Sequence, residues 1–148
     1  MPIPEFDKHG LLPVGVHDCV LAEIAVRFGL FQGNEQRPRS MAKLTEFLEE
    51  VRAAGIVREV LVDGSFVTAA PAPNDVDLIM VVARSHNFAG DLNPAAYKVV
   101  SKRRVQRRYG FDMLVAREGS VEYGRWVTFF QQVRLEPAAT KGILRLRI

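Results

Sequence analysis

Apolar residues along this chain follow two rhythms, short solid runs and helical stripes, and the runs mark its centre. Val60-Leu61-Val62 and Leu78-Ile79-Met80-Val81-Val82 are unbroken aliphatic runs bounded by Gly, Pro and Asn, the usual punctuation of buried strands. A third run from Phe111 to Ala116 predicts another strand. The alternation Gly142-Ile143-Leu144-Arg145-Leu146-Arg147-Ile148 predicts a half-buried one that closes an edge of the sheet. Helical spacing marks Val20 to Phe28, with Asp18 as N-cap and Gly29 beyond the end. It recurs from Arg39 to Ala54, where Met41, Leu44, Phe47, Leu48 and Val51 form one stripe and Gly55 ends it. After a loop through His86, Asn87, Gly90 and Asp91, Asn93-Pro94 opens a helix that Gly110 closes. A last helix is predicted from Glu122 to Leu135, with Val121, Trp126, Phe129, Phe130 and Val133 as core. Residues 1–16 carry Pro2, Pro4, Pro13, Gly10 and Gly15 among apolar side chains. They predict an extended arm pinned to a single domain spanning residues 17–148. The elements together predict an α/β (α+β) fold, a small mixed β-sheet with helices packed mainly on one face.

Composition narrows this little. At 148 residues and 48% apolar content the chain can bury one core. The single cysteine, Cys19, excludes an internal disulfide and fits a reducing cytosol. No secretory leader or membrane-length apolar run occurs, so a cytoplasmic protein without a membrane partner is expected. His17 and Cys19 lie close together but have no matching ligand pair, which assigns them to capping and packing. The net charge of +3 is mild, and its clustering is more informative. Lys98, Lys102, Arg103, Arg104, Arg107 and Arg108 crowd the second half of one helix. The helix dipole accounts for part of that cluster. The remainder is either a solvated face or a basic face for phosphate, RNA or an acidic protein partner.

The candidate chemistry lies between the first two strands, in Gly64-Ser65-Phe66-Val67-Thr68 and Asn74-Asp75-Val76-Asp77-Leu78. Alternation along a strand puts Asp75 and Asp77 on one face. Two carboxylates that close repel each other unless a cation sits between them, and hard oxygen ligands suit Mg²⁺ or Mn²⁺. Gly64 allows a close backbone approach, and Ser65 offers donors for a phosphate oxygen, with Thr68 nearby. Asp112 is the sole charge in the third apolar run.

A Gly-Ser turn followed by Asp-x-Asp on the next strand resembles the signature of the polymerase β-like nucleotidyltransferases, and Asp112 stands where that superfamily carries a third carboxylate. The chain is also similar to a group of short bacterial nucleotidyltransferase-like proteins through Ile3-Pro4-Glu5-Phe6-Asp7, His9-Gly10-Leu11-Leu12-Pro13, Trp126 to Phe130 and Lys141-Gly142-Ile143. The resemblance implies transfer of a nucleoside monophosphate from a triphosphate, ATP favoured, to an acceptor hydroxyl. Asp75, Asp77 and Asp112 would be the catalytic and metal-binding residues, and Gly64, Ser65 and Thr68 the nucleotide contacts. Minimal members of this kind are similar to the antitoxins of HEPN-type toxins, and the acceptor stays open among a protein side chain, an RNA end and a small hydroxylated molecule. The competing expectation is a non-catalytic module of the same fold that docks onto a partner protein. One departure stands out: no Lys or Arg occurs between Arg58 and Arg84, where many relatives carry a phosphate-binding cation after the Gly-Ser turn.

Overall fold

The computed structural model describes residues 3–86, 90, 93–133 and 136–148, and the backbone alone for 133 and 136–139. Asn87 and Asp91 of the connecting loop, Leu135 at the predicted end of the last helix, and the side chain of Val133 lie outside the described residues.

The elements run β1 (Gly15–Cys19), α1 (Leu21–Phe28), α2 (Gln36–Ala54), β2 (Val57–Asp63), a 3₁₀ turn (Ser65–Val67), β3 (Asp77–Val82), α3 (Pro94–Val100), α4 (Lys102–Tyr109), β4 (Asp112–Arg117), α5 (Val121–Phe130), β5 (Gln132–Val133), β6 (Glu136–Thr140) and β7 (Gly142–Arg147). Five strands form one mixed sheet in the order β1-β7-β2-β3-β4, and β5 and β6 form a separate hairpin. The outer pairs β1·β7 and β3·β4 are parallel, while β7·β2 and β2·β3 are antiparallel.

Alternation sorts the aliphatic runs between two cores. Val60, Val62, Leu78, Met80 and Val82 join Ile24, Phe28, Leu44, Phe47, Leu48, Val99 and Val105, so α1 to α4 cover one face. Leu61, Ile79, Val81 and Ile143 join Ala116 and Phe130 under α5 on the other. Each fully buried aliphatic side chain contributes about 1.5–3 kcal/mol, and the solid runs arise because both faces of β2 and β3 are covered.

Several boundaries differ from the sequence expectation, each for a local reason. His17, Asp18 and Cys19 belong to β1, not to a helix start. Asp18 pairs with Arg145, and α1 is capped instead by Glu23, whose carboxylate accepts the Val20 N–H at 3.0 Å. The expected single helix from Asn93 to Gly110 is two, because Ser101 leaves the helical region and its hydroxyl caps α4 by accepting the Arg104 N–H at 3.3 Å. The predicted edge strand β7 is interior, since β1 pairs outside it. The last helix stops at Phe130, and the following residues form β5. Of its predicted core, Phe130 is buried but Val121 and Phe129 are exposed.

Candidate active site

The ends of β2, β3 and β4 place carboxylates side by side. Asp63 is in register with Asp77 across the antiparallel pair, and Asp77 with Asp112 across the parallel pair. Each shares its parity with residues that pack under α5, namely Leu61, Ile79 and Ala116, so all three project from that face. Asp75 has the same parity but precedes β3 in extended chain and is exposed. The row is therefore Asp63, Asp77 and Asp112, with Asp75 at its margin.

Their surroundings differ. Asp63 is 4% exposed and ion-paired with Lys141, which precedes β7. Burial pushes the Asp63 carboxyl up, against the opposing pull of Lys141 and the Gly64 N–H. Asp77 is half-buried, and its carboxyl is pushed up to about 6, first by burial and then by the charges of Asp63, Asp112 and Asp75, with Lys141 pulling the other way. Asp112 is exposed. Among the described residues Lys141 is the one cation ion-paired with these four carboxylates, which leaves the row short of positive charge.

The Gly-Ser turn builds this geometry rather than facing outward as a ready anion cradle. A side chain on Gly64, at φ +93°, would lie 2.5 Å from the Asp75 carbonyl oxygen, so glycine is required where the chain leading to Asp77 crosses the turn. The Ser65 hydroxyl accepts the Asp75 N–H at 3.1 Å, and Phe66 donates its N–H to the Asp75 carbonyl at 3.1 Å. Thr68 donates its hydroxyl to the Ser65 carbonyl at 2.7 Å and accepts the Ala70 N–H at 3.2 Å. Gly64 and Ser65 thus hold the turn to the aspartates, Thr68 ties the turn to itself, and the Ser65 hydroxyl keeps its own proton to donate.

Two contributors escape the sequence reading. Asp63 hides at the end of an aliphatic run as if it were the turn's first polar residue. Arg37 of α2 is 2% exposed and donates to the carbonyls of Phe66, Thr68 and Ala70 at 2.8, 2.7 and 2.6 Å, bracing the loop from behind. No acidic partner accompanies it among the described residues, and the guanidinium stacks near Phe28 and Phe66. Its polar code looks like an ordinary helix start, so only its burial identifies it.

A cleft of about 510 Å³ opens beside the row, lined by Asp77 and Asp112, by Lys102 and Arg103 of α4, and by Phe129 and Phe130 of α5. The basic cluster therefore divides. Arg104 binds Glu50 at 2.9 Å and Arg108 binds Glu46, both on α2, while Lys102 and Arg103 turn toward the cleft. Arg107 is exposed on α4, and Lys98 sits on α3.

As placed, no three His, Cys, Asp or Glu side chains among the described residues form a ready-made ion cage. The donor chemistry nevertheless fits a hard divalent cation: Asp75, Asp77 and Asp112 offer oxygens from one face, and Asp77, raised first by burial, is raised further by the repulsion of Asp63, Asp112 and Asp75, which a cation relieves.

Sheet, turn and carboxylate row together define a small mixed α/β protein with an acidic site at one end of its sheet. The chain belongs to a family of unknown function (DUF6932), whose model matches residues 4–147. No curated protein and no solved structure matches it.

Proposed function

We propose that the protein is a metal-dependent nucleotidyltransferase that moves a nucleoside monophosphate from a nucleoside triphosphate, ATP favoured, to an acceptor hydroxyl. The observation that carries this reading is the register of Asp77 with Asp112 on parallel neighbours, with Asp75 leading into the same face. Asp75, Asp77 and Asp112 would hold Mg²⁺ or Mn²⁺, which when bound supplies charge neutralisation at the triphosphate and at the departing pyrophosphate. The acceptor oxygen forms a bond to the α-phosphorus as the bond to the β-phosphate's bridging oxygen breaks. Pyrophosphate leaves with that electron pair, and the acceptor proton passes to the Asp112 carboxylate, the most open member of the row. Lys102 and Arg103 draw anionic substrate to the cleft, partly replacing the cation missing after the Gly-Ser turn. Gly64, Ser65 and Arg37 keep the aspartates in position before substrate arrives.

A second reading, a non-catalytic module that docks onto and neutralises a partner protein in a toxin–antitoxin pair, draws support from the inward engagement of the turn, whose Thr68 hydroxyl and Phe66, Val67 and Thr68 N–H groups all donate to carbonyls within it or of Asp75. Calorimetry with ATP and Mg²⁺ separates the two. Metal-dependent binding that disappears in Asp77→Ala supports transfer. Absence of triphosphate binding in the folded wild-type chain rejects it.

A further inference from the structure

The acidic row has two sides, and they differ in what they can hold. On the β2 side stands the Gly64–Ser65 turn, with Lys141 at Asp63. On the β4 side lies the cleft, where Lys102, Arg103 and Phe129 surround the outer flank of Asp112. We propose that this cleft is the acceptor site and that its acceptor is the 3′ end of a single-stranded nucleic acid. The inference rests on the nucleotidyl-transfer reading and assigns the substrate class of the same site.

Charge supplies the first argument. Lys102 and Arg103 are exposed in the first turn of α4 and meet no carboxylate partner among the described residues, whereas Arg104 and Arg108 on the same helix are held by Glu50 and Glu46. Cations placed in the first helical turn oppose the dipole, so their presence is not explained by helix stability. They suit an acceptor that carries phosphates of its own. A serine or tyrosine side chain would carry none.

Shape supplies the second. Phe129 is 57% exposed at the end of α5 and shares the cleft wall with buried Phe130. An open aromatic face beside unpaired cations is the combination on which an unstacked base and its phosphate are held, and only a single strand leaves its terminal base free to stack there. The cleft's volume of about 510 Å³ accommodates one such unit and no duplex. With the terminal base on Phe129 and its phosphate at Lys102 and Arg103, the 3′-hydroxyl points into the row. Its oxygen then attacks the α-phosphorus, pyrophosphate leaves, and Asp112 takes the proton.

The test uses the full chain and short oligoadenylates, ribo and deoxyribo, with a 5′ fluorophore and a free 3′-hydroxyl. Binding to at least one is expected. Phe129→Ala should weaken it about tenfold, and Lys102→Gln with Arg103→Gln should flatten the plot of log affinity against log salt by roughly 1.4. Arg108→Gln should change that slope far less, because its guanidinium is already neutralised. All four positions are exposed, so the variants should fold. Mg²⁺-ATP binding is measured in parallel. Oligonucleotide binding with these sensitivities but no ATP binding supports the cleft as a single-strand site and overturns its acceptor role together with nucleotidyl transfer. ATP binding intact with oligonucleotide affinity unmoved overturns the cleft assignment alone. Loss of ATP affinity in Phe129→Ala without loss of oligonucleotide binding also overturns it, since the cleft would then be the donor site. Label passing from ATP to protein but never to a saturating oligonucleotide overturns it in favour of a protein acceptor.

Discussion

The face of the sheet under α5 carries charge at both ends, and the two ends are built on opposite terms. At one end Arg145 binds Asp18 through Nε and Nη2 at 2.6 and 3.0 Å, lies 3.8 Å from Glu59, and shares Asp18 with Arg147. Two cations meet two carboxylates there, and the hydrogen bonds from Arg145 hold the Asp18 carboxyl below its usual range. At the other end, among the described residues, Lys141 is the one cation ion-paired with the row of Asp63, Asp75, Asp77 and Asp112, with Lys102 and Arg103 only lining the cleft beside it, and Asp77 is pushed up to about 6. The same sheet therefore shows a charge arrangement that serves stability and one that works against it. Repulsion retained where a single substitution would remove it points to use by a ligand.

The largest expected effect breaks the unbalanced end. Asp77→Ala should cut nucleotidyl transfer by roughly 100- to 1000-fold, the loss typical of removing one preorganised electrostatic group. Arg145→Met, at the balanced end, should leave the rate unchanged in protein that remains folded. Rates measured at saturating Mg²⁺ check both, and an equal loss in the two variants would remove the distinction between the ends.

Next in size is Lys141→Met. Removing one partner of a buried pair leaves Asp63 uncompensated and should cost about 3 kcal/mol in urea unfolding. Asp63→Asn together with Lys141→Met should recover most of it. Arg145→Met should cost only about 1 kcal/mol, because Asp18 remains open to solvent. If Lys141→Met costs no more than Arg145→Met, Lys141 is not the row's structural counterion.

Much of this was legible beforehand, and the parts that were not share a cause. The solid runs at Val60 and Leu78 announced the central strands because burial on both faces removes alternation, and Gly55 and Gly110 ended helices as read, both left-handed at φ +70° and +77°. Asp77 was singled out by its alternation with Asp75, and Asp112 by standing alone in an apolar run, and the two are in register on neighbouring strands. Asp63 was missed because its partner Lys141 is 78 residues away, and local pattern carries no trace of such a pair. The basic cluster was read as one face, but the break at Ser101 and the acids of α2 divide it. Phe129 reads as core by spacing and is exposed, because β5 turns the chain away where the pattern would continue a helix.

The smallest effect sharpens the comparison through pH. Asp77 has a folded pKa of about 6 against an ordinary 3.8, so between these values the folded state binds more protons than the unfolded one. Stability from this group must therefore fall as pH rises from about 4 to 6, and the penalty persists above 6. Buried Asp63, also raised, acts in the same direction. Asp18 behaves oppositely: its lowered pKa contributes stability above the unfolded value near 3.8, which is lost as pH falls through the folded value. Asp77→Asn should then raise the metal-free melting temperature at pH 7.5 by roughly 3 °C, equivalent to about 1 kcal/mol in a chain of this size once solvent screening is allowed for. The gain should shrink toward zero by about pH 4, where the wild-type carboxyl is already protonated. Melting curves at both pH values with chelator present read this directly. Saturating Mg²⁺ should reverse the order of the two proteins at pH 7.5, because only the wild type can use the cation to relieve its repulsion. An Asp77→Asn protein that melts lower than wild type in chelator at pH 7.5 would show that the carboxylate is part of the scaffold, as Asp18 is at the other end.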